Sequence, residues 1–219
     1  GINVIKYLLP KETSEEELMT LIKKLNEKEA VTGIILQSPV PSNIDFDKCS
    51  GLIKASKDVD GFTKENVYNL YLNKKSILPC TVKGIIKLLD SYNIELSGKD
   101  VVIIGRGNIV GKPLALALEN RNATVSLLHS KTKDMIKYTK SADIVVVACG
   151  VPKLIKSNMI KQGAVVIDVG ISRTDTGIIG DVDFESVKDV ASYVTPNPGG
   201  VGPMTVAMII DNLIEMSEV

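Results

Sequence analysis

The chain has 219 residues, of which 44% are hydrophobic, and its 26 basic residues are balanced by 26 acidic ones without a basic block. A nucleic-acid-binding protein would show a basic patch, so this balance argues against nucleic acid as a partner. The apolar runs are far too short to cross a bilayer, so we predict a soluble protein that binds neither nucleic acid nor a membrane. The 3 cysteines lie outside any Cys-x-x-Cys pair and the 1 histidine is too few for an HExxH site, so we expect no disulfide framework, no metal site and a cytoplasmic location.

The N-terminal part begins with a strand-like sequence and a helix. Residues 2–9, INVIKYLL, predict a strand, and Ser14 and Glu17 form a capping box ahead of apolar residues at helical spacing, which predicts a helix over 14–28. Because the chain opens on Gly1 rather than Met and runs directly into a strand, we expect a truncated or processed N-terminus. The first domain is then an incomplete α/β unit.

The next elements are a strand, a turn-rich stretch and a second helix. Residues 31–37 form a compact apolar run ended by prolines, which predicts a strand, and residues 42–71 are polar and turn-rich. Thr81 is predicted to cap a helix that closes at residues 91–93.

From residue 96 onward the strands lose their alternation. The runs VVIIG, TVSLL, IVVVAC and AVVIDVG are continuous and rich in β-branched residues, and helix-length segments separate them. Such runs indicate strands buried on both faces, hence a parallel sheet with helices on either side. Pro203 is placed to occupy the first turn of a last apolar helix.

The segment after the first of these strands carries a glycine motif. Gly105, Gly107 and Gly111 follow the strand and open a helix, with a spacing one residue longer than G-x-G-x-x-G. Glycines there let the backbone approach a pyrophosphate at the helix N-terminus, which predicts a nicotinamide dinucleotide cofactor. The alternative is a glycine-rich turn without a ligand.

The residues around this motif favour NADP over NAD. An NAD enzyme commonly has a carboxylate at the end of the second strand, whereas this chain has Ser130 and Lys131 there and Arg106 inside the glycine loop. These side chains are suited to accept a 2'-phosphate, although solvated loop residues remain the alternative interpretation. The prediction is NADP, with NAD as the second choice.

Three further features have both functional and structural interpretations. Asp58 and Asp60 lie in a short acidic loop, point the same way by spacing, and are also explained by a turn held by Asp side chains. Gln37 ends an apolar strand and is also explained as a hydrogen-bonded sheet-end amide. The loop 198–205 is stiff and poor in side chains, suited to a planar ligand or to a hinge between domains.

Together these motifs resemble one family, the bifunctional methylenetetrahydrofolate dehydrogenase/methenyltetrahydrofolate cyclohydrolases. The resemblance covers essentially the whole chain in order. The motifs KDVDGF and TPNPGGVGPMTVAM are far more specific than the glycine loop. The motifs are GIILQSPVP (33–41), KDVDGF (57–62), LPCTVKGI (78–85), GRGNIVGKP (105–113), HSKT (129–132), VVIDVGI (165–171) and TPNPGGVGPMTVAM (195–208).

The resemblance implies a two-domain α/β enzyme and a homodimer. Residues 1–91 and the helix 203–219 would form the folate-binding catalytic domain, and residues 92–202 the Rossmann-like, parallel-sheet NADP-binding domain. The implied reactions are NADP-linked oxidation of 5,10-methylene- to 5,10-methenyltetrahydrofolate, followed by hydrolysis to 10-formyltetrahydrofolate. The implied partners are therefore tetrahydrofolate derivatives.

The resemblance also implies roles for individual residues. Gln37 would be the amide beside the catalytic lysine, and Asp60 the carboxylate that hydrogen-bonds the pterin ring. The remaining folate-binding residues would be Leu36, Ser38, Pro198, Gly199, Gly200, Val201 and Gly202. The NADP site would be lined by Gly105, Arg106, Gly107, Ser130 and Ile171.

The sequence departs from the family at one important motif. The family's Tyr-x-x-x-Lys motif, which supplies the catalytic lysine, lies upstream of the strand aligned with residues 2–9. The sequence opens at that strand, so neither the tyrosine nor the lysine can be assigned in it. An alternative is therefore a dinucleotide- or folate-binding homologue without cyclohydrolase activity, and a third is a dehydrogenase acting on another small substrate. Smaller departures are Ser38 where Leu is common, Gly107 where Ser is common, and Asn197 where an apolar residue is usual.

Overall fold

The computed structural model describes residues 1–175 and 177–218. The helices are α1 (Glu15–Asn26), α2 (Phe46–Ser50), α3 (Lys64–Tyr71), α4 (Cys80–Ser91), α5 (Gly111–Glu119), α6 (Met135–Thr139), α7 (Phe184–Val187) and α8 (Val201–Ser217). The strands are β1 (Asp100–Ile104), β2 (Thr124–Leu128), β3 (Ile144–Val147), β4 (Val165–Asp168), β5 (Ser172–Thr174), β6 (Gly177–Ile179) and β7 (Tyr193–Val194).

The four continuous apolar runs form the centre of a parallel sheet, as predicted. Within the described residues the sheet has five strands in the order β2-β1-β3-β4-β7, and every neighbouring pair is parallel. The strands β5 and β6 form a separate antiparallel ribbon that the sequence analysis did not predict. The α/β class with a Rossmann-like sheet is confirmed.

The sheet is buried on both faces because alternate residues of each strand enter two different cores. Val101 and Ile103 of β1 pack in one core with residues of α4, α5 and the start of α8. Val102 and Ile104 pack in the other core, against β3 and the segments that follow it. Burial on both faces is the reason that these strands show no polar alternation.

The helix α1 forms for the reason that its sequence indicates. The Ser14 side chain caps the backbone N–H of Glu17, and the Glu17 carboxylate accepts the Ser14 backbone N–H at 2.8 Å. Both partners of the capping box are therefore present, and Leu18 and Ile22 face a small core of their own. The helix ends two residues earlier than predicted.

The two strands predicted before residue 40 are not formed. Residues 2–9 adopt no regular element among the described residues, and the Leu8 side chain is 91% exposed. Residues 31–37 make a single isolated bridge, between Ile34 and Asp58. A strand requires a neighbour that accepts and donates its backbone hydrogen bonds, and these two segments do not pair with each other in the described structure.

Three further expectations are corrected. The turn-rich stretch 42–71 contains α3, which buries Leu70 against the main core. Helix α4 begins at Cys80 with Pro79 as its N-cap residue, so Thr81 lies inside the first turn and does not cap it. A 3₁₀ turn at Ser157–Met159, and no α-helix, lies in the fully described stretch between β3 and β4.

The last helix packs along α4. Pro203 lies in its first turn, as predicted, because that position needs no backbone N–H. Gly84 of α4 lets the two helices approach closely, since a Cβ there would lie 3.2 Å from Cβ of Met204. Val219, the end of the predicted range, lies outside the described residues. Among those residues, the helices all fall short of the length and apolar character needed to span a membrane.

Candidate functional site

An open pocket brings together the predicted residues of the N-terminal part. Its volume, including the part open to solvent, is about 470 Å³. Leu36, Gln37 and Ser38 line it from the segment that follows Ile34, and Asp60 lines it from the acidic loop. The complete lining is Ile35, Leu36, Gln37, Ser38, Phe46, Asp60, Phe62, Pro79, Cys80, Thr81 and Ile109. Four residues expected to serve one substrate therefore share one cavity.

The two carboxylates of the acidic loop have different roles, which corrects the expectation that they point the same way. The Asp58 carboxylate is buried in its own loop and accepts the backbone N–H groups of Gly61 and Thr63 at 2.9 and 2.7 Å. It also accepts the Asn66 side-chain amide at 3.0 Å. Asp58 thus holds the turn, and Asp60 is the carboxylate left to face the pocket.

Burial raises the pKa of the Asp60 carboxyl, and the nearby Asp58 charge acts in the same direction, while hydrogen bonding to Cys80 opposes them. The Cys80 thiol lies at the N-terminus of α4, and burial and then the charge of Asp60 raise its pKa to about 12. A thiol with that pKa stays protonated at neutral pH, so Cys80 is a neutral neighbour of Asp60 and not a nucleophile.

Lys83, one turn further along α4, forms ion pairs with two carboxylates of α8. Its ammonium lies 2.7 Å from Asp211 and 2.9 Å from Glu215 of α8, and the side chain is only 13% exposed. Burial tends to lower the pKa of Lys83, but the hydrogen bonds to the two carboxylates outweigh it and the pKa is raised. Lys83 is therefore charged near neutral pH and unsuited to act as a base.

Gln37 ends its segment with its side chain exposed. Its Nε2 donates to the carbonyl of its neighbour Ser38 at 3.0 Å, a local contact that a ligand can replace. Leu36 packs partly against the small core beneath α1, which holds this side of the pocket in place.

The glycine loop has two positions that only glycine fits. Gly105 has a φ of +113°, and a Cβ there would overlap the carbonyl oxygen of Ala148. A Cβ at Gly111 would overlap the carbonyl oxygen of Gly105, so the loop folds back tightly onto its own start. Gly107 differs, because a Cβ there would meet nothing within 4 Å. The loop leads into α5, whose first N–H groups have no side-chain cap.

The other predicted cofactor residues lie at the carboxyl edge of the sheet. Ile104 and Leu128 are in register at the ends of β1 and β2, and the Gly105 N–H donates to the Leu128 carbonyl at 2.9 Å. Arg106 and Ser130, which follow these two strands, are both exposed, and Ile171 after β4 is 63% exposed. This is the edge at which open α/β sheets bind dinucleotides.

The loop 198–202 lies outside the described pocket. Pro198, Gly199 and Gly202 are exposed, and Gly200 adjoins Pro196 so closely that a Cβ would overlap its carbonyl oxygen. Val201 is buried in the core beneath the sheet, so its side chain has a packing role.

Asn197, which departs from the family pattern, also has a structural role. Its side-chain amide donates to the carbonyl of Gly170, which follows β4. An apolar side chain would lack this bond, so the polar residue ties the last loop to the end of β4.

Sequence reasoning missed several residues of the pocket. Ile109 belongs to the glycine loop yet lines the pocket of Asp60, so the two predicted sites adjoin. Phe46 and Phe62 pack edge to face with ring centroids 6.2 Å apart and form an apolar wall. No sequence signal pairs these two aromatics. Cys80 and Thr81, in contrast, lie within the motif LPCTVKGI (78–85), so the sequence could have predicted them as site residues.

Family models match both halves of the chain. The catalytic domain of tetrahydrofolate dehydrogenase/cyclohydrolase matches residues 1–60, and the NAD(P)-binding domain of the same family matches residues 79–219. The chain belongs to the tetrahydrofolate dehydrogenase/cyclohydrolase family. The resemblance drawn from the motifs is thereby confirmed.

Individual relatives agree with this assignment. The bifunctional protein FolD of Campylobacter hominis is 51% identical over all of this chain and 77% of its own length. The solved FolD methylenetetrahydrofolate dehydrogenase/cyclohydrolase of Campylobacter jejuni is 49% identical, with a TM-score of 0.93 over 95% of this chain and 74% of that one. The Trypanosoma brucei enzyme, solved with NADP and an inhibitor, is 39% identical, with a TM-score of 0.90 over 96% of this chain and 74% of that one.

Proposed function

We propose that the described pocket binds tetrahydrofolate derivatives and that the adjoining loop binds NADP. The chain is a methylenetetrahydrofolate dehydrogenase/cyclohydrolase, which oxidises 5,10-methylenetetrahydrofolate with NADP and hydrolyses the resulting methenyl compound. The observation that carries the site assignment is Ile109, which belongs to the glycine loop and lines the pocket of Asp60. A hydride donor and its acceptor bound on either side of this residue would be neighbours.

The residues present fit a dinucleotide. Gly105 and Gly111 allow the tight loop, and the N-terminus of α5, which has no side-chain cap, favours a pyrophosphate through the helix dipole. Arg106 and Ser130 are exposed and so accessible to a 2'-phosphate. Bound NADP supplies the hydride acceptor. The protein's part in the oxidation is chiefly to position the two ligands, because the substrate carbon is already activated.

On the substrate side, Asp60 is the proposed acceptor of pterin N–H groups. It is placed in the pocket by a loop whose turn is held by Asp58. Leu36, Gln37 and Ser38 are proposed to contact the folate within the same pocket, and the backbone of 198–202 to lie along it. Hydration of the methenyl carbon requires a proton acceptor, and Lys83 does not serve, because its ammonium is held by two carboxylates.

A direct assay tests this function. Purified protein is mixed with 5,10-methylenetetrahydrofolate and NADP, and the methenyl product and its hydrolysis are followed by absorbance. Formation of both products supports the proposal, whereas NADP reduction without hydrolysis would favour the homologue that lacks cyclohydrolase activity. Absence of turnover with this folate would contradict the proposal.

We propose the domain division that the motifs imply, with residues 1–91 and 203–219 serving folate and residues 92–202 serving NADP. The whole parallel sheet lies between residues 100 and 194, and Leu213 of α8 packs near Gly33, which supports this division.

A cytoplasmic homodimer joined through the cofactor domain is proposed from the family. The ribbon β5–β6, in which Ile178 is 44% exposed, offers apolar surface for the dimer contact. A molar mass of one chain, measured by light scattering, would contradict the homodimer.

Replacing Arg106 by Ala is predicted to cost more with NADP than with NAD. The lost contact is a charge-assisted one to the 2'-phosphate, worth about 1 to 3 kcal/mol, so kcat/KM for NADP falls roughly 5- to 150-fold. The values of kcat/KM for NADP and NAD are compared in wild type and variant. The exposed Arg121, which precedes β2 and pairs with Asp90, provides an Arg→Ala control away from the glycine loop. An unchanged ratio of the two cofactors would refute the assignment.

The pH dependence of folate turnover follows from the environment of Asp60. Burial and the neighbouring Asp58 charge raise the pKa of Asp60, and an ionised carboxylate is needed to accept pterin N–H groups. We therefore expect kcat/KM for the folate to fall on acidification, with a midpoint above the ordinary Asp value of about 4. The Asp60→Asn variant should lose this acid limb, and a wild-type profile that stays flat down to that value would argue against it.

A further inference from the structure

Asn212 is a buried amide in the C-terminal half of α8, fully excluded from solvent. Its Nδ2 donates to the carbonyl oxygens of Val59 at 2.8 Å and of Leu78 at 3.0 Å. Its Oδ1 accepts from the Lys83 ammonium at 2.8 Å. A buried amide is costly unless it is hydrogen-bonded, and here both ends of the side chain have partners.

The two carbonyls belong to residues that directly precede two separate segments of the pocket lining. Val59 immediately precedes Asp60, and Leu78 immediately precedes Pro79 and Cys80, all three of which line the pocket. One amide thus joins the acidic loop to the start of α4, from a helix more than a hundred residues further along the chain. Asn212 itself is absent from the pocket lining.

Both neighbours of Asp60 are anchored. The Val59 side chain is 2% exposed and packs against Gly33, where an added Cβ would lie 2.4 Å from Cγ2 of Val59 and 2.7 Å from Cδ1 of Leu213. Gly61 has a φ of +70°, and a Cβ there would overlap the carbonyl oxygen of Ile77. The position of the Asp60 carboxylate is therefore set by the backbone on either side of it.

Lys83 determines which way the amide points. Its ammonium, held by Asp211 and Glu215, donates to Oδ1, so the Nδ2 group is directed at the two carbonyls. A reversed amide would place N–H groups against the ammonium and leave both carbonyls without this donor. The ion pairs between α4 and α8 thus orient the group that joins the acidic loop to the start of α4.

We propose that Asn212 is a positioning residue for the folate site, which fixes the Asp60 loop relative to residues 78–80 at the spacing that the pterin ring requires. This inference rests on the proposed function of the pocket. It gives the last helix a role in substrate binding although Asn212 does not touch the substrate.

The test is Asn212→Asp, which keeps the size of the side chain but replaces the donor with a carboxylate oxygen. We expect KM for 5,10-methylenetetrahydrofolate to rise about tenfold, because the donor bonds of the amide to Val59 and to Leu78 are both lost, while KM for NADP is unchanged. Hydrogen exchange of the backbone amides in 58–63 and 77–81 should become faster. The exposed Asn158, with the same substitution, is the control and should change neither quantity.

The outcomes of these measurements separate a positioning role of Asn212 from a purely structural one. If folded Asn212→Asp protein shows unchanged KM and unchanged exchange, or if both KM values rise equally, the positioning role is wrong. Should this variant not fold, Lys83→Met removes the orienting donor together with the ion pairs to Asp211 and Glu215. It must raise KM for the folate by a smaller factor and leave KM for NADP unchanged, and an unchanged KM for the folate would overturn the proposal. If wild type fails to turn over the folate, the proposed function fails, and the exchange measurement still decides whether Asn212 joins the acidic loop to the start of α4.

Discussion

Substituting Gly105 by Ala is expected to weaken NADP binding about a hundredfold or more. The residue has a φ of +113°, which costs a side chain about 1 to 3 kcal/mol, and its Cβ would overlap the Ala148 carbonyl at the end of β3. That oxygen belongs to the backbone and cannot move away without disturbing the sheet. Calorimetric titration with NADP measures the loss.

The matched control is Gly107→Ala in the same loop. Gly107 has an ordinary φ, and a Cβ there would meet nothing within 4 Å, so NADP affinity should stay within about threefold of wild type. Thermal melting of both variants shows whether the loop alone or the whole sheet is affected. Equal loss of affinity in the two variants would contradict the assignment of Gly105 as the constrained position.

Asp60→Ala is expected to lower kcat/KM for 5,10-methylenetetrahydrofolate about a hundredfold while leaving NADP affinity nearly intact. The proposed contact is a charge-assisted hydrogen bond in a partly buried pocket, worth about 2 to 3 kcal/mol. The variant should also be at least as stable as wild type, because burial raises the pKa of this carboxyl and its charge therefore opposes folding at neutral pH. Steady-state kinetics with each ligand varied, together with thermal melting, provide the measurement.

The control for this variant is Asp189→Ala, an exposed carboxylate that does not line the pocket. It should leave both kinetic constants unchanged. Equal losses for folate and for NADP in Asp60→Ala would mean that the loop supports the fold rather than the substrate. Asp58 would not serve as a control, because its carboxylate holds three hydrogen bonds of the turn.

Much of the candidate site was predictable because its residues stand in contiguous motifs. Asp60, Gln37 and the glycine loop were each found from local sequence, and the structure places Leu36, Gln37, Ser38 and Asp60 around one pocket. The different roles of Asp58 and Asp60 were not predictable. Alternation along a strand would point both side chains the same way, but the segment is a turn whose own N–H groups capture Asp58.

The errors in the fold have a common physical cause. Residues 2–9 and 31–37 have strand-like composition, yet a strand exists only where another segment pairs with it, and pairing is decided far along the chain. Helix α3 was missed because the stretch 42–71 around it is polar and rich in turn residues, and the burial of its Leu70 depends on contact with the main core.

The sequence by itself determined the parallel sheet, the glycine loop, the cofactor class and the family, since each depends on residues that are neighbours in the chain. Only the tertiary structure decided that Ile109 joins the two sites and that Lys83 is held by carboxylates of α8. It likewise decided that Asn212 reaches back to Val59 and Leu78. These contacts join residues distant in sequence, and a side chain buried by such contacts carries no local signal of its partner.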